Sequence, residues 1–414
     1  MAKPKLALIP AAQGSKLYSV LPSSGVGDFQ FNRSGSATRI NSQGLIETVA
    51  SGVSRLNYPM IDGVVKGCPH HILEPQRTNY VTYSNGFTDS SWLPTGATVV
   101  SGVISPDGTS NAFTLSNTAS SGIIQKAVSL TGLRVVSIFA KKGTHRYLRI
   151  GAYGGTNSYA NFDLENGVVA DGVNANIEYY GNGWYRCICH SADGTTGGVQ
   201  IFPSNNTIGA ATTNGSIQIY GVQLEQGSYP TSYIPTTTSA VTRSAETANG
   251  SGDANTFNDS EGVLMVEVSS LSELDVTARY IQISDGTSTP NGIQLRYYTT
   301  TNLLQVLYYT NSAYQAVLSY TLPNSSENNK IAFKYKENDF ALWVNGLEVG
   351  TDTNGLVGAT LSQLKFDYNN FSDFYGNTKQ IQYFDTTLTD SELEQLTSWV
   401  SFQEMAEGQL YTIE

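Results

Sequence analysis

The sequence predicts an all-β protein: two tandem β-sandwich (jelly-roll) domains after an extended N-terminal segment, with one short C-terminal helix. Three observations carry this. From about residue 80 onward, short alternating runs of β-branched and aromatic residues are punctuated by Gly, Asn and Asp, the pattern of half-buried strands and tight turns. The composition has 40 Gly and 25 Tyr, with only 14% charged residues, against an average of about 25%. Such chains build polar, uncharged β-surfaces, and the aromatic content is too high for disorder. Finally, Trp343-Val344-Asn345-Gly346-Leu347 places Asn-Gly between two apolar runs, which demands the mirror-image turn of a two-residue hairpin.

In order along the chain, residues 1–79 read as an extended attachment and packing segment. Lys5 to Pro10 and Lys16 to Pro22 are short apolar stretches that make a poor core by themselves. They read equally as an attachment strand docking on another protein or a sister subunit, and as strands packed on this chain's own sheet. Residues 29–84 have no period of two or 3.6, so they read as a side-chain-bonded stretch laid over other structure. Arg33, Arg39, Arg55 and Arg77 are its structural arginines, because a guanidinium fork can fix irregular backbone by bonding carbonyls and carboxylates. Asn41-Ser42-Gln43-Gly44 predicts a hairpin between Ala37–Ile40 and Leu45–Val49.

Residues 80–245 form the first predicted sandwich, with strands recurring from Ala97–Ile104 to Ser216–Leu224 and a turn at Glu165-Asn166-Gly167. Residues 246–260, without period, read as a linker or a domain-crossing loop. Residues 261–414 form the second sandwich. Near its end Thr389 and Glu392 have capping-box spacing, and Leu393, Leu396 and Val400 make one apolar stripe.

Composition also bounds function. A net charge of −11 opposes binding to nucleic-acid phosphates or anionic lipid. No apolar run approaches membrane-spanning length, and Lys3 to Ala12 is too short and too broken by Pro10 for a secretory signal. Cys68, Cys187 and Cys189 are too few for a disulfide framework and fit assembly in a reducing cytoplasm. Cys187-Ile188-Cys189-His190 lacks the knuckle turn of a zinc site, so Cys187 and Cys189 read as small core residues, and His145 as a lone loop histidine. No metal or other cofactor is expected. Asp285-Gly286 and Asp352 to Gly355 could help hold calcium but lack dense ligand spacing. No nucleophile elbow or phosphate-binding glycine pattern occurs. The nearest carboxylate pairs, Glu337 with Asp339 and Asp163 with Glu165, sit beside turn residues, where solvated turn carboxylates are the simpler reading.

Several motifs carry a family resemblance. The run Arg33-Ser34-Gly35-Ser36-Ala37-Thr38-Arg39, then Leu73-Glu74-Pro75-Gln76-Arg77-Thr78-Asn79, Asn182-Gly183-Trp184-Tyr185-Arg186, and Gln223 to Thr236 resembles tail, fibre or lectin-like virion proteins of tailed bacteriophages. His70-His71 stands where that family's pattern has short, mostly apolar residues. The 261–414 region, through Phe340 to Val349 and Gln380 to Leu396, resembles a concanavalin-like or laminin-G-like lectin sandwich. The resemblance implies a structural fibre or spike protein of the virion surface, homotrimeric, contacting other virion proteins and host surface polysaccharide, and no enzyme. A decoration protein without ligand and a polysaccharide depolymerase are the alternatives. Outward side chains on the second sandwich are then the glycan-binding candidates: the aromatic Trp343, Tyr298, Tyr309 and Tyr314, with Arg296. Packing against a neighbouring domain or subunit is the competing reading for all five.

Overall fold

A computed structural model describes residues 2–13, 16–153, 158–191, 195–272, 277–287, 291–298, 301–368, 372–401 and 404–405. The chain is all-β, with one α-helix among the described residues.

The first sandwich packs two six-stranded antiparallel sheets. One runs Trp92–Thr95, Ile123–Thr131, Thr195–Ser204, Tyr147–Tyr153, Ser158–Asp163, Val168–Asp171. The other runs Ala97–Val103, Ala112–Asn117, Gly215–Gln226, Arg134–Lys142, Trp184–Ser191, Ala175–Tyr179. Alternate side chains of both meet in one core that includes Leu115, Ile138, Ile150, Phe162 and Ile219, as the period of two requires. Cys187 and Cys189 lie in that core, and His145 is a buried loop residue bonded to Asn117 Oδ1 at 2.9 Å and to the Thr213 carbonyl at 3.1 Å.

The second sandwich is a single sheet that curls over itself. Its order runs from Ala313–Thr321 through Leu303–Thr310, Gly292–Tyr298, Arg279–Ser284, Gln363–Lys365 and Thr247–Ser251 into three N-terminal strands, Phe29–Asn32, Lys16–Leu21 and Leu6–Gln13. It continues through Gly376–Phe384, Glu261–Ser270, Asn329–Lys336 and Phe340–Val344 to Leu347–Asp352. Both layers and the N-terminal strands share one core, with Leu6, Phe29, Phe31, Val266, Ile281, Leu295, Ile331 and Tyr383 among its buried members.

Two boundaries of the sequence reading change here. Leu6–Gln13 is bonded on both sides, to Lys16–Leu21 and to Gly376–Phe384. Leu6 to Leu8 are therefore interior to this chain's own sheet, which favours the second of the two readings. Residues 246–260 contain the strand Thr247–Ser251, bonded to Phe29–Asn32 and Gln363–Lys365, so the stretch is part of the sandwich rather than a linker. Five residues bearing Gly and Asn give no readable period.

The 29–84 stretch lies over other structure only in part, because its first residues, Phe29–Asn32, are a strand within the second sandwich with Phe29 and Phe31 in the core. The hairpin Ala37–Ile40 with Ile46–Val49 forms where Asn41 to Gly44 predicted it; Gly44 takes φ +77°, and Asn41 Oδ1 accepts the Gln43 and Leu45 amides. Its Ile40 and Ile46 pack on Phe139, Trp184, Tyr220 and Tyr233 of the first sandwich. The stretch then returns to the second sandwich as His70–Leu73, which pairs with Gly376–Phe384. One segment thus joins both bodies.

At that junction lies a buried ionic cluster. Glu246 accepts from Arg33 Nη1 at 2.8 Å and from Arg55 Nε at 2.8 Å, and it also binds Arg55 Nη2. Glu74 binds Arg55 Nη2 and Arg243 Nη1, each at 2.7 Å. All five residues are at most 3% exposed. Burial alone would raise the Glu74 carboxyl, but Arg243 and Arg55 outweigh it and hold the group well below the usual carboxylate range. Burial alone would lower Arg55, yet Glu246 and Glu74 keep its guanidinium above its ordinary value. Remaining donors go to backbone: Arg33 to the Ala50 carbonyl at 2.6 Å, Arg55 to Thr38 at 2.8 Å, Arg243 to Pro75 at 2.7 Å. Of the other structural arginines, Arg39 pairs at the surface with Glu47 at 3.0 Å, and Arg77 lies 5.1 Å from the Tyr229 ring centroid.

The Asn345-Gly346 turn joins Phe340–Val344 to Leu347–Asp352 with φ +50° and +88°, the mirror-image geometry its sequence demands. The helix Asp390–Thr397 has the predicted capping box on Thr389 and Glu392. It ends at Thr397, so Val400, 88% exposed, is not part of its apolar stripe; Leu393 and Leu396 are. Thr389→Ala should lower stability by about 1 kcal/mol through loss of the N-cap, measurable by urea denaturation; an unchanged midpoint would count against the cap.

Candidate functional site: an open aromatic face on the second sandwich

In Arg279–Ser284, Gly292–Tyr298, Leu303–Thr310 and Ala313–Thr321, one parity fills the core: Ile281 and Ile283, Ile293 and Leu295, Leu304 and Val306, Ala316 and Leu318. The opposite parity must point outward. Register then sets Arg296 beside both Tyr280 and Gln305. An irregularity between Tyr308 and Tyr309 brings Tyr314 opposite Tyr309.

The resulting face is aromatic and polar. Arg296 Nε donates to Gln305 Oε1 at 2.9 Å, and its guanidinium lies 5.4 Å from the Tyr298 ring centroid. Gln305 Nε2 donates onward to Ser319 Oγ at 3.0 Å. The Tyr309 and Tyr314 rings are 5.2 Å apart at 69°, and Tyr314 is 54% exposed. Tyr280 and Tyr368 stack beside them, 5.1 Å apart at 30°. Burial raises the Tyr368 phenol, helped by Tyr314, Tyr280 and Tyr309 and opposed by Arg296, so the two ring pairs and the guanidinium act on one place. This arrangement offers rigid ring faces for apolar C–H surfaces, with a planar cation and amides for hydroxyl oxygens.

Four of the five sequence candidates, Arg296, Tyr298, Tyr309 and Tyr314, therefore share one face. Trp343 does not. Its parity is outward as read, since Phe340, Leu342 and Val344 fill the sandwich core. But it lies in the other layer, on a face covered by Leu388 and Leu393 of the C-terminal region, and is 7% exposed. It packs the helix onto the sheet and has no access to ligand. The reading missed Tyr280 and Tyr368. Tyr280 has the outward parity of its strand, whereas Tyr368 follows a strand, Gln363–Lys365, too short to show a period.

Among the described residues no three metal-ligating side chains gather. Asp285 accepts from Thr287 and Asn291, and Asp352 from the Asn354 amide, within their turns. Asp163 is held by Arg146, Glu165 by Lys142, and Asp339 by Lys334 at 2.7 Å.

No family model and no curated protein matches the chain. Solved structures with partial similarity are lectin-like or carbohydrate-binding β-sandwich domains. The CBM40 of a Ruminococcus gnavus IT-sialidase, bound to α2,3 sialyllactose, is 16% identical with a TM-score of 0.31, over 36% of this chain and 94% of its own. Galectin LEC-6 of Caenorhabditis elegans is 7% identical with a TM-score of 0.24, over 30% and 83%. Domain 4 of AbnA, a GH43 arabinanase from Geobacillus stearothermophilus in complex with arabinotriose, is 14% identical with a TM-score of 0.26, over 42% and 83%.

Proposed function

We propose that this is a non-enzymatic glycan-binding protein whose second sandwich holds saccharides on the face built by Arg296, Tyr298, Tyr309 and Tyr314. The observation that carries this is the openness of that face. The opposite layer's outer aromatic, Trp343, is covered by the chain's own helix, while Tyr314 is exposed and Arg296, Tyr298 and Tyr309 are partly exposed. A sugar ring matches what they offer: C–H faces for tyrosine rings, hydroxyls for the guanidinium and Gln305. Of the carboxylates closest to a hydrolase pair in sequence, Asp163, Glu165 and Asp339 are committed to Arg146, Lys142 and Lys334, which favours holding over bond cleavage.

The motifs around Arg33 and Glu74 support a setting on the surface of a tailed-phage particle, as a fibre or spike subunit touching other virion proteins and host polysaccharide. A homotrimer is the assembly that setting favours. In this reading the motif residues serve architecture, since Arg33, Arg55, Glu74 and Arg243 fasten the two sandwiches together.

Titration against host-derived polysaccharide tests the reading. Tyr314→Ala and Arg296→Ala should each weaken binding about tenfold with unchanged thermal stability, since both groups are at least partly exposed. Equal affinity in both variants would remove this face as the site. Gold-labelled antibody on intact particles tests the virion setting, and absence of label would reject it.

A further inference from the structure

The first sandwich has its own opening, at the edge strand Ala175–Tyr179. That strand is bonded within its sheet only to Trp184–Ser191. Ala175 and Ile177 pack against the core, so Asn176 and Glu178 point to the opposite face. Two cavities share Glu178 as a wall. One, of about 610 Å³, extends past Asn174 and Ile188 to Tyr229 and to Leu271 of the second sandwich. The other, of about 480 Å³, is lined by Tyr58, Tyr179, Tyr180 and Tyr185, with Asn57 and Asp62. Both lie within the roughly 300–1,000 Å³ range of small-molecule sites. Tyr180 has the parity of Glu178, while the Tyr179 and Tyr185 rings, 4.8 Å apart at 34°, have that of Ile177 and line this cavity round the open edge of the strand. The Glu178 carboxylate accepts no hydrogen bond among the described residues, and its cross-strand neighbour Arg186 acts on it only at a distance.

We propose that this two-lobed groove is a second saccharide site, taking a short neutral oligosaccharide that crosses Glu178. An unbonded carboxylate at the waist is an acceptor for paired sugar hydroxyls. The tyrosines on one side and Ile188 and Leu271 on the other supply faces for the rings before and after it. Other occupants fit less well. An added peptide strand would need the Ile177 amide, but that donor is already bonded to Asn176 Oδ1 at 2.9 Å. A polyanion would meet Glu178, Asp62 and a net charge of −11. A cation would face Arg186 behind the carboxylate. The proposal does not depend on the outer face of the second sandwich.

Calorimetric titration of the full chain carrying Tyr314→Ala, which weakens the outer face, with cellotetraose, chitotetraose and mannotetraose tests it. At least one should bind, and adding Glu178→Gln or Tyr179→Ala should weaken that binding by about tenfold or more. Glu178→Gln preserves shape, so a folding defect in the tyrosine variant leaves the test intact. If none of the three binds the Tyr314→Ala chain, or if binding ignores both groove substitutions, the proposal is overturned. If all saccharide binding vanishes with Tyr314→Ala, the groove is empty while the outer-face reading stands. If binding survives Tyr314→Ala and fails with Glu178→Gln, the groove is the site.

Discussion

Glu246→Ala should destabilise the protein by about 3–5 kcal/mol, the loss expected when one partner of a buried ionic cluster is removed. Glu246 alone contacts Arg33, Arg55 and the backbone amide of Glu74, the last at 2.9 Å. Without it, Arg33 loses its carboxylate partner and Arg55 keeps Glu74 as its one carboxylate, with both guanidinium groups at most 2% exposed. The site joins the 29–84 stretch to the strand that begins at Thr247 and, through Glu74, to Ser232 and Arg243 beside the first sandwich. The variant should therefore show two separated unfolding steps where the parent shows coupled ones. Glu47→Ala, which breaks the half-exposed Arg39–Glu47 pair, should cost less than about 1 kcal/mol. Urea denaturation followed by tyrosine and tryptophan fluorescence measures both. A Glu246→Ala chain as stable as the Glu47→Ala chain would mean that the cluster does not fasten the fold.

That cluster also marks where the sequence was legible and where it was not. Arg33 and Arg55 stood out because cations in an aperiodic stretch need acceptors, and both are buried against acceptors. Their partner Glu246 lies far along the chain, and no local rule pairs residues at such separation. The hairpins at Asn41 to Gly44 and Asn345-Gly346 were readable because positive φ is a local demand on residue type. The entry of Leu6–Gln13 into the second sandwich was not, since sheet order is decided by which distant edge is free. Likewise the alternation of Phe340 to Val344 gave the parity of Trp343, but the helix that covers it is a tertiary fact. Tyr298 and Tyr309 reach the same face because alternation gives both outward parity on neighbouring strands, which local pattern shows. Tyr314 shares the parity of the core residues Ala316 and Leu318 and joins that face only through the irregularity at Tyr308 and Tyr309, which no local pattern shows.

Mild acid should weaken the fold through His70 and His71. The strand His70–Leu73 is buried throughout. His71 is 1% exposed, neither ring nitrogen has a hydrogen-bond partner among the described residues, and its ring meets Phe31 edge-on at 5.7 Å. Burial, then Arg55, lowers its pKa to about 3; burial, then Lys379 and His71, lowers that of His70 to about 3. Both are neutral in the folded chain and ordinary in the unfolded one, where the pKa is about 6.5. The unfolded state thus binds more protons between those values, so the stabilisation is fully present above about pH 6.5 and is lost as pH falls toward 3. At pH 4.5 the loss is on the order of 2–3 kcal/mol per histidine, from about 1.4 kcal/mol for each tenfold change in proton affinity. Glu74, held far below the carboxylate range, contributes below its unfolded pKa near 4.5, whereas burial raises Glu178 and Asp373, whose protonation opposes the histidine loss as pH falls. Burial lowers the His190 pKa as well, so His190 adds a loss of the same sign, and the difference made by His71→Phe is the decisive quantity. Phenylalanine beside Phe31 leaves no buried ring nitrogen and cannot bind a proton. Its urea midpoint at pH 7 should stay close to the parent's, and its decline toward pH 4.5 should be shallower by the His71 share. Parallel declines in the two proteins would show that His71 is protonated, or reached by water, in the folded state.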